Sequence, residues 1–249
     1  MGGGASKPQG VAADALLEGL AYDKRIGAVT GEEAIECIAL AFAGTATAPK
    51  EELMNWILGP RFAAFDSPER MAMCKYNGKW AVTACTKKGT VVGLRDPETK
   101  EVLGVMALRR TPETMSEMMS TMSKCGNPPH MSGKEPYGKE PMKRDEAVEK
   151  GMKKLAQKGP QYILYALSVK PAHQGKGVAR ALVNALFACA DRDQVPTYVD
   201  CVGERLVKLY SHLGFEKHAE AEVVDPTKQE GGEEKIVMTS LMRKPAPPP

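Results

Sequence analysis

The ten residues "HQGKGVARAL", 173–182, carry the strongest signal in this 249-residue chain. The segment before them, "QYILYALSV" (161–169), is continuously apolar, as expected of a strand buried on both faces. After them, Val178, Leu182 and Ala185 recur at helical spacing. The glycines therefore lie in a turn from a buried strand into a helix. Because a helix N-terminus has unpaired N–H groups and glycines let a ligand approach the backbone, this turn predicts a phosphate or pyrophosphate site.

Hydrophobic periodicity and turn residues predict the other elements. Helices are expected at 30–44, where Thr30 and Glu33 form a capping pattern, and at 49–62. Strands are expected near 89–95 and 101–109, and the second half continues with a strand (196–202), a helix (203–214) and two strands (215–223 and 235–244). This order predicts an α/β fold with a central mixed sheet flanked by helices and a helical insert before the strand at 161–169.

The domain organisation follows from shifts in composition. We expect a flexible Gly-rich leader over 1–23, a single domain over 24–244 and a Pro-rich tail over 245–249. Within the domain, the insert covers about 111–160 and the ligand-binding core covers 161–216. The insert includes four methionines at helical spacing, which predict a core-facing stripe, with an adaptable binding surface as the alternative: Met115, Met118, Met119 and Met122.

Charge and cysteine usage exclude several classes of protein. Lys and Arg number 34 against 31 Asp and Glu, so nothing indicates a basic nucleic-acid-binding face. The six cysteines form no CxxC pair and the four histidines do not cluster near them, so no metal site is expected. Thiols left buried or idle suggest a reducing, cytoplasmic location. No stretch is apolar enough to span a bilayer, but Gly2 and Ser6 match the spacing for N-myristoylation, a weak membrane tether.

Comparison with known phosphate-binding motifs narrows the ligand. The P-loop pattern is absent, and Arg180 stands where the dinucleotide fingerprint has its last glycine. What remains, Gln174-x-x-Gly177-x-Ala179, resembles the acetyl-CoA pyrophosphate loop of the GNAT N-acetyltransferases. Those enzymes also carry a tyrosine in a later helix that ends in Gly-Phe, and here Tyr210 precedes Leu213-Gly214-Phe215. The resemblance is specific over 162–215 and is closest to the branch that includes puromycin N-acetyltransferase.

The resemblance implies an enzyme that transfers the acetyl group of acetyl-CoA to a primary amine of a small molecule, by direct attack in a ternary complex. It implies Tyr210 as the general acid that protonates the departing thiolate, and a core aromatic is the alternative role. The implied cofactor-binding residues hold pantetheine on the strand and pyrophosphate on the turn: Leu167, Val169, Gln174, Gly175, Lys176, Gly177, Val178 and Ala179. For Lys176, a solvated surface lysine is an equal alternative.

Two departures from the family pattern stand out. Gly203 occupies a position where many relatives have asparagine, and the strand at 162–168 lacks the glutamate that some relatives use as a base. Asp200, Glu204 or a chain of waters are the remaining candidates for the base, and His173 is expected to be exposed. Two other functions stay open, which are acetylation of protein lysines or N-termini, and acyl-CoA binding without turnover. The motif assigns no acceptor, and we expect acceptor recognition in the two N-terminal helices and the insert.

Overall fold

A computed structural model describes residues 17–18, 20, 22–48, 50–110, 113–228 and 234–247. It confirms the predicted α/β class: a seven-stranded mixed sheet is flanked by helices. The strands are β1 (Ile26–Ala28), β2 (Gly89–Arg95), β3 (Val102–Arg109), β4 (Tyr162–Val169), β5 (Thr197–Val202), β6 (Glu216–Val224) and β7 (Lys235–Arg243). The helices are α1 (Gly31–Ala43), α2 (Glu52–Leu58), α3 (Pro68–Lys88), α4 (Met115–Cys125), α5 (Glu140–Leu155), α6 (Val178–Asp193) and α7 (Glu204–Leu213).

The sheet has the order β1-β2-β3-β4-β5-β7-β6, and its neighbours are antiparallel except for the parallel pair β4–β5. That pair is joined only at its start, through Tyr162–Thr197 and Ile163–Tyr198. Beyond these residues the two strands diverge. The β3–β4 register also skips Tyr165, which lies in a bulge. The sheet is therefore open between the carboxyl ends of β4 and β5.

Apolar clusters cover both faces of the sheet. On one face, α6 packs through Leu182 and α7 packs through Leu213 against the strands. On the other face, α1 and α3 pack through Ile38 and Cys85. Helix α5 approaches β6 and β7 so closely at Gly151 that a Cβ there would meet Val223 and Met238. Trp56 of α2 and Val148 of α5 share an apolar cluster with Val202, at the carboxyl end of β5.

Helix α3 and strand β1 were not predicted. Helix α3 starts at a recognisable signal, because the Ser67 hydroxyl accepts from the Arg70 N–H and Pro68 occupies the first turn. Its apolar residues lie on several sides of the helix, since α1, α4 and the sheet all pack against it. A single amphipathic stripe is therefore missing from its sequence. Strand β1 has only three residues, too few for a period to be visible.

The methionine stripe of α4 was predicted to face the core, and this prediction is wrong for two of its members. Met115 is 62% exposed and Met119 is 56% exposed. The buried positions of α4 are Thr121 and Cys125. Thr121 donates to Glu113, which lies 3.8 Å from the buried Arg109, so this side of the helix is occupied by a polar network. That network, and not the apolar spacing, sets the orientation of α4.

The ends of the domain differ from the predicted leader and tail. Leu17 is 2% exposed, and Leu20 and Tyr22 pack against the core, so these residues of the predicted leader belong to the folded domain. Gly2, the predicted N-myristoylation site, lies outside the described residues and stays a prediction. In the predicted tail, the Ala246 N–H donates to Asp191 of α6.

The structure also shows the state of the cysteines, the groups that could bind a metal and the character of the helices. All six cysteines are free and buried, as expected of idle thiols. Within the described ranges, no group of three or more His, Cys, Asp or Glu side chains could hold a metal ion. The helices of the same ranges include none that is long and apolar enough to cross a bilayer.

Candidate active site

The separation of β4 and β5 opens a cleft of about 580 Å³. We name two groups of its lining residues the turn end and the carboxylate end. The turn end is formed by the glycine turn and the start of α6: Gln174, Gly175, Gly177, Val178, Ala179 and Arg180. The carboxylate end is formed by residues from α1, α2, α5, β5 and β7: Phe42, Glu51, Leu53, Met152, Asp200 and Met238. Tyr210 of α7 lines the same cleft.

The turn end presents main-chain groups. Gly175 and Gly177 have φ of +74° and +80°, a region that favours glycine. A Cβ at either position would have nothing within 4 Å, so the glycines serve the backbone conformation and leave the space beside it open. Gly177 is the N-cap of α6 and makes no side-chain capping bond. The first N–H groups of α6 are thus available to an anion, as the sequence predicts. The Gln174 amide donates to the Val169 carbonyl at 3.2 Å and braces the turn on β4.

The structure brings most of the predicted site residues into this cleft. The lining includes Leu167, Val169, Gln174, Gly175, Gly177, Val178, Ala179 and Tyr210. Lys176 is exposed and is not among the lining residues, in agreement with the alternative of a surface lysine. Arg180 does line the turn end and donates to the His212 carbonyl at 3.3 Å. His173, expected to be exposed, is half-buried, with its Nε2 3.8 Å from a Glu101 carboxylate oxygen.

Tyr210 combines the two roles considered for it. Its ring is buried and packs edge-on against Phe215, with the ring centroids 5.7 Å apart. Burial raises the pKa of Tyr210, and the charges of Cys201 and Glu51 raise it further. The phenol therefore stays protonated throughout the working pH range. It is a core aromatic that also offers an O–H donor to the cleft it lines.

Glu51 is a site residue that sequence reasoning missed. It is the N-cap of α2, and its carboxylate accepts from the Leu53 N–H at 3.1 Å and the Met54 N–H at 2.6 Å. Burial raises the pKa of Glu51, and these two hydrogen bonds oppose the rise only in part. In the sequence, Glu51 falls in the first turn of the helix predicted at 49–62, where acids are common, so its pattern gave no sign of a second role. Only the fold shows that this carboxylate borders the cleft.

Asp200 and Glu204, the two side chains considered as the base, differ in their position relative to the cleft. Asp200 of β5 lines the carboxylate end, and the surrounding protein raises the pKa of its cleft-facing carboxyl by desolvation. The Glu204 side chain is 90% exposed and pairs with Lys208 at 3.2 Å, and it is not among the lining residues. The cleft thus contains two carboxylates, Glu51 and Asp200, whose pKa values are both raised mainly by burial.

The structure shows what lies beside Gly203, the position at which the expected asparagine is missing. Gly203 is the N-cap of α7 with φ of +90°, and a Cβ there would collide with the carboxylate of Glu52. A carboxylate from α2 therefore occupies the space beside Gly203 and lies at the positive end of α7. The same carboxylate is 3.9 Å from Arg205 Nε. These contacts place the start of α2, and with it Glu51, next to the helix that carries Tyr210.

Comparisons with known proteins agree with this geometry. Residues 143–217 match the family described as Acetyltransferase (GNAT) domain. A mycothiol acetyltransferase from Kineococcus radiotolerans is 50% identical over 58 residues, which are 22% of this chain and 19% of that protein's length. The aligned part therefore spans about a fifth of that relative.

Solved structures extend the likeness over most of the chain. A Corynebacterium glutamicum protein named histone acetyltransferase HPA2 and related acetyltransferase has a TM-score of 0.52 at 20% identity, over 90% of this chain and 97% of that one. Arylalkylamine N-acetyltransferase 2 from Aedes aegypti has a TM-score of 0.51 at 13% identity, over 88% and 97%. At these identities the likeness is one of fold. Residues 143–217 therefore match the acetyltransferase (GNAT) domain, and the fold over most of the chain is like that of solved acetyltransferases.

Proposed function

We propose that this protein transfers the acetyl group of acetyl-CoA to the primary amine of a small molecule, by direct attack in a ternary complex. The observation that carries the proposal is that two kinds of group line one cleft. The turn end offers main-chain N–H groups to an anion, and the carboxylate end offers Glu51 and Asp200 to a cation. Such a cleft suits a pyrophosphate at one end and an ammonium at the other.

The turn end would hold the cosubstrate. The backbone from Gln174 to Ala179 would cradle the pyrophosphate, as successive N–H groups at a helix N-terminus do. Leu167 and Val169 would bond pantetheine through their main chain, because β4 has separated from β5 at these residues. Arg180, which lines this end, would supply the nearby positive charge that the sequence suggested for Lys176. Holding both reactants in line in this way supplies much of the rate of such a transfer.

Glu51 would serve as the base for the acceptor amine. An ammonium cannot attack a carbonyl, so it must first lose a proton, and a carboxylate with a raised pKa accepts that proton more readily. The neutral amine then forms a C–N bond to the acetyl carbonyl, and the C–S bond of the thioester breaks. The second proton of the amine passes to the departing thiolate, which leaves as the CoA thiol. Asp200, on the same end of the cleft, would hold the incoming ammonium before it is deprotonated.

Tyr210 would serve the leaving group. The thiolate that departs is the conjugate base of a thiol with a pKa of about 8.5, whereas a free phenol has a pKa of about 10. Because burial raises the pKa of Tyr210 above that value, complete proton transfer to a free thiolate is uphill. Its main contribution is then a hydrogen bond to the charge that develops on sulfur as the C–S bond breaks.

Two alternatives make different use of the same cleft. A protein lysine or N-terminus could supply the amine, but the resemblance to the puromycin-modifying branch favours a small molecule. A regulatory module that binds acyl-CoA without turnover would need neither Glu51 nor Tyr210 beside the cleft. The presence of both residues among the lining supports an enzyme.

The first experiment is a thermal-shift titration of the purified protein with acetyl-CoA, beside the variant Gly177→Glu. At a hundredfold excess over the dissociation constant, the ligand should stabilise the fold by about 2.7 kcal/mol. A panel of amines is then assayed for release of the CoA thiol. A shift in the wild type alone, followed by amine-dependent release, supports the proposal. A folded protein that shows no shift contradicts it.

A further inference from the structure

The carboxylate end of the cleft differs in composition from the turn end. Apart from Glu51 and Asp200, its walls are apolar, with contributions from Phe42, Leu53 and Met152. Met238 closes the wall from β7 and is 2% exposed, packed in a cluster with Trp56 and Val202. An acceptor held here would place its amine near carboxylates and the rest of its body against hydrocarbon, aromatic and thioether surface.

Met152 is the contribution of the insert to this wall. Helix α5 presses onto β6 and β7 at Gly151, where a Cβ would meet Met238 Sδ at 3.0 Å. This close contact fixes the next residue, Met152, at the border of the cleft, where it is 47% exposed. A methionine on a rigid helix offers a flexible, polarisable surface that adapts to flat or branched apolar groups. The exposed methionines of α4, by contrast, are not among the residues that line the cleft.

The charges at this end are not balanced. Arg205 lines the cleft close to it, but its Nε already lies 3.9 Å from Glu52. Arg70 is fully buried and donates to the carbonyls of Phe42 and Ala43, and its charge offsets that of Glu51 in part. Two carboxylates therefore border a space that contains mostly apolar side chains. A ligand cation gains from both of them, whereas a ligand carboxylate is repelled.

We infer that the acceptor is a small monoamine with an apolar body, aromatic or aliphatic, and without a carboxylate near its amine. Its ammonium meets Asp200 and Glu51, and its body lies against Phe42, Leu53 and Met152. This inference rests on the proposed function and narrows its substrate class. It separates the acceptor from amino acids, which carry a carboxylate beside the amine. It also separates the acceptor from polyamines and peptide N-termini, which leave the apolar wall uncovered or bring polar groups to it.

The test compares kcat/KM for CoA release with four amines: phenethylamine, phenylalanine, spermidine and a short peptide with a free N-terminus. Phenethylamine and phenylalanine share a ring and a primary amine and differ in the carboxylate. We expect kcat/KM for phenethylamine to exceed that for phenylalanine by about 100-fold, because Asp200 and Glu51 repel the carboxylate of phenylalanine. The variant Asp200→Asn should reduce this ratio about tenfold by removing one of the repelling charges.

The apolar wall is tested with Met152→Lys, a change at an exposed position that folding should tolerate. It should raise the KM for phenethylamine about tenfold, because one apolar contact is replaced by a cation that repels the ammonium. Met119→Lys is the matched control, since Met119 is 56% exposed on α4 and outside the lining of the cleft. It should leave KM unchanged.

The outcomes distinguish this inference from the function on which it rests. Faster turnover of phenylalanine or spermidine than of phenethylamine would overturn the inference and leave the proposed function standing. Faster turnover of the peptide would overturn the inference and favour acetylation of proteins. Unchanged kinetics in Met152→Lys would likewise contradict the placement of the apolar body. Acetyl-CoA binding without CoA release from any of the amines would overturn both proposals.

Discussion

The turn end and the carboxylate end of the cleft are built in opposite ways. The turn end comes from one continuous stretch, the end of β4, the glycine turn and the start of α6, and its working groups are main-chain amides. The carboxylate end is assembled from α1, α2, α5, β5 and β7, and its working groups are side chains. A backbone site depends on a local conformation, which glycine spacing specifies. A side-chain site depends on how distant elements pack, and the same residues would be ordinary surface or capping residues elsewhere.

The largest effect is expected where a side chain blocks the backbone site. In Gly177→Glu, a carboxylate would occupy the anion cradle, and acetyl-CoA should produce no thermal shift and no turnover. The matched control is Gly133→Glu, because Gly133 has φ of +62° and ψ of 7°, close to the +80° and 0° of Gly177. Both variants should lose about 1–2 kcal/mol from the left-handed conformation. Retained acetyl-CoA binding in Gly177→Glu would show that the turn is not the anion site.

The next effect concerns the carboxylate end. Glu51→Gln should lower kcat about 10²–10³-fold, because the variant cannot take a proton from the acceptor ammonium. Acetyl-CoA should still shift the melting temperature, since the turn end is unchanged. The acidic limb of the kcat pH profile, which reports titration of the base, should disappear. An acidic limb that persists in Glu51→Gln and disappears in Asp200→Asn would assign the base to Asp200 instead.

Tyr210→Phe should have a smaller effect, because the phenol assists a good leaving group. We expect kcat to fall about 10–100-fold with little change in acetyl-CoA affinity. The ring keeps its edge-on contact with Phe215, so the fold should not be affected. Unchanged turnover would leave Tyr210 as a core aromatic. In an acyl-CoA-binding module without turnover, Tyr210→Phe would change no assay.

This contrast explains what the sequence could and could not predict. Seven of the eight cofactor-binding residues predicted from the motif line the cleft, because β4, the turn and α6 are adjacent in the chain. Glu51 was missed because an acid in the first turn of a predicted helix is ordinary, and in the structure it caps α2. Its proximity to Tyr210 follows from the contact of Glu52 with Gly203, between residues far apart in sequence. No local pattern encodes such a contact.

In the insert, too, the sequence did not predict which side chains would be buried. Apolar spacing predicted a core-facing stripe on α4, yet the buried side of that helix is the polar one, where Glu117 pairs with Arg109 at 3.0 Å. In α5, whose sequence is highly charged, Gly151 and Met152 determine the packing and the wall of the cleft. The sequence predicted a helical insert over about 111–160. It could not identify which residues of each helix would meet a polar network or a ligand.

A change at Asp200 should affect stability as well as specificity. The pKa of this carboxyl is raised in the folded protein, so its protonated form is favoured by folding. Its contribution is fully present below the pKa of the unfolded chain, about 4, and is lost as the pH rises through the folded value. Asp200→Asn cannot ionise, so its melting temperature should exceed that of the wild type at pH 8. The difference should shrink as the pH falls towards 4. A constant difference across this range would show that the carboxyl is not desolvated.

The smallest effect is expected at Met119, and it tests whether α4 contributes to the core or to the carboxylate end. Met119→Ala should change the free energy of unfolding by less than about 0.5 kcal/mol, because its side chain is 56% exposed. The same substitution at Met106, which is fully buried in β3, should cost about 2–5 kcal/mol. Urea denaturation of the two variants measures both values under one set of conditions. If Met119→Ala also leaves acceptor KM unchanged while Met152→Ala raises it, the insert contributes to the cleft through α5 alone. A large loss of stability in Met119→Ala would instead restore α4 to the core, and with it the sequence prediction that the structure contradicts.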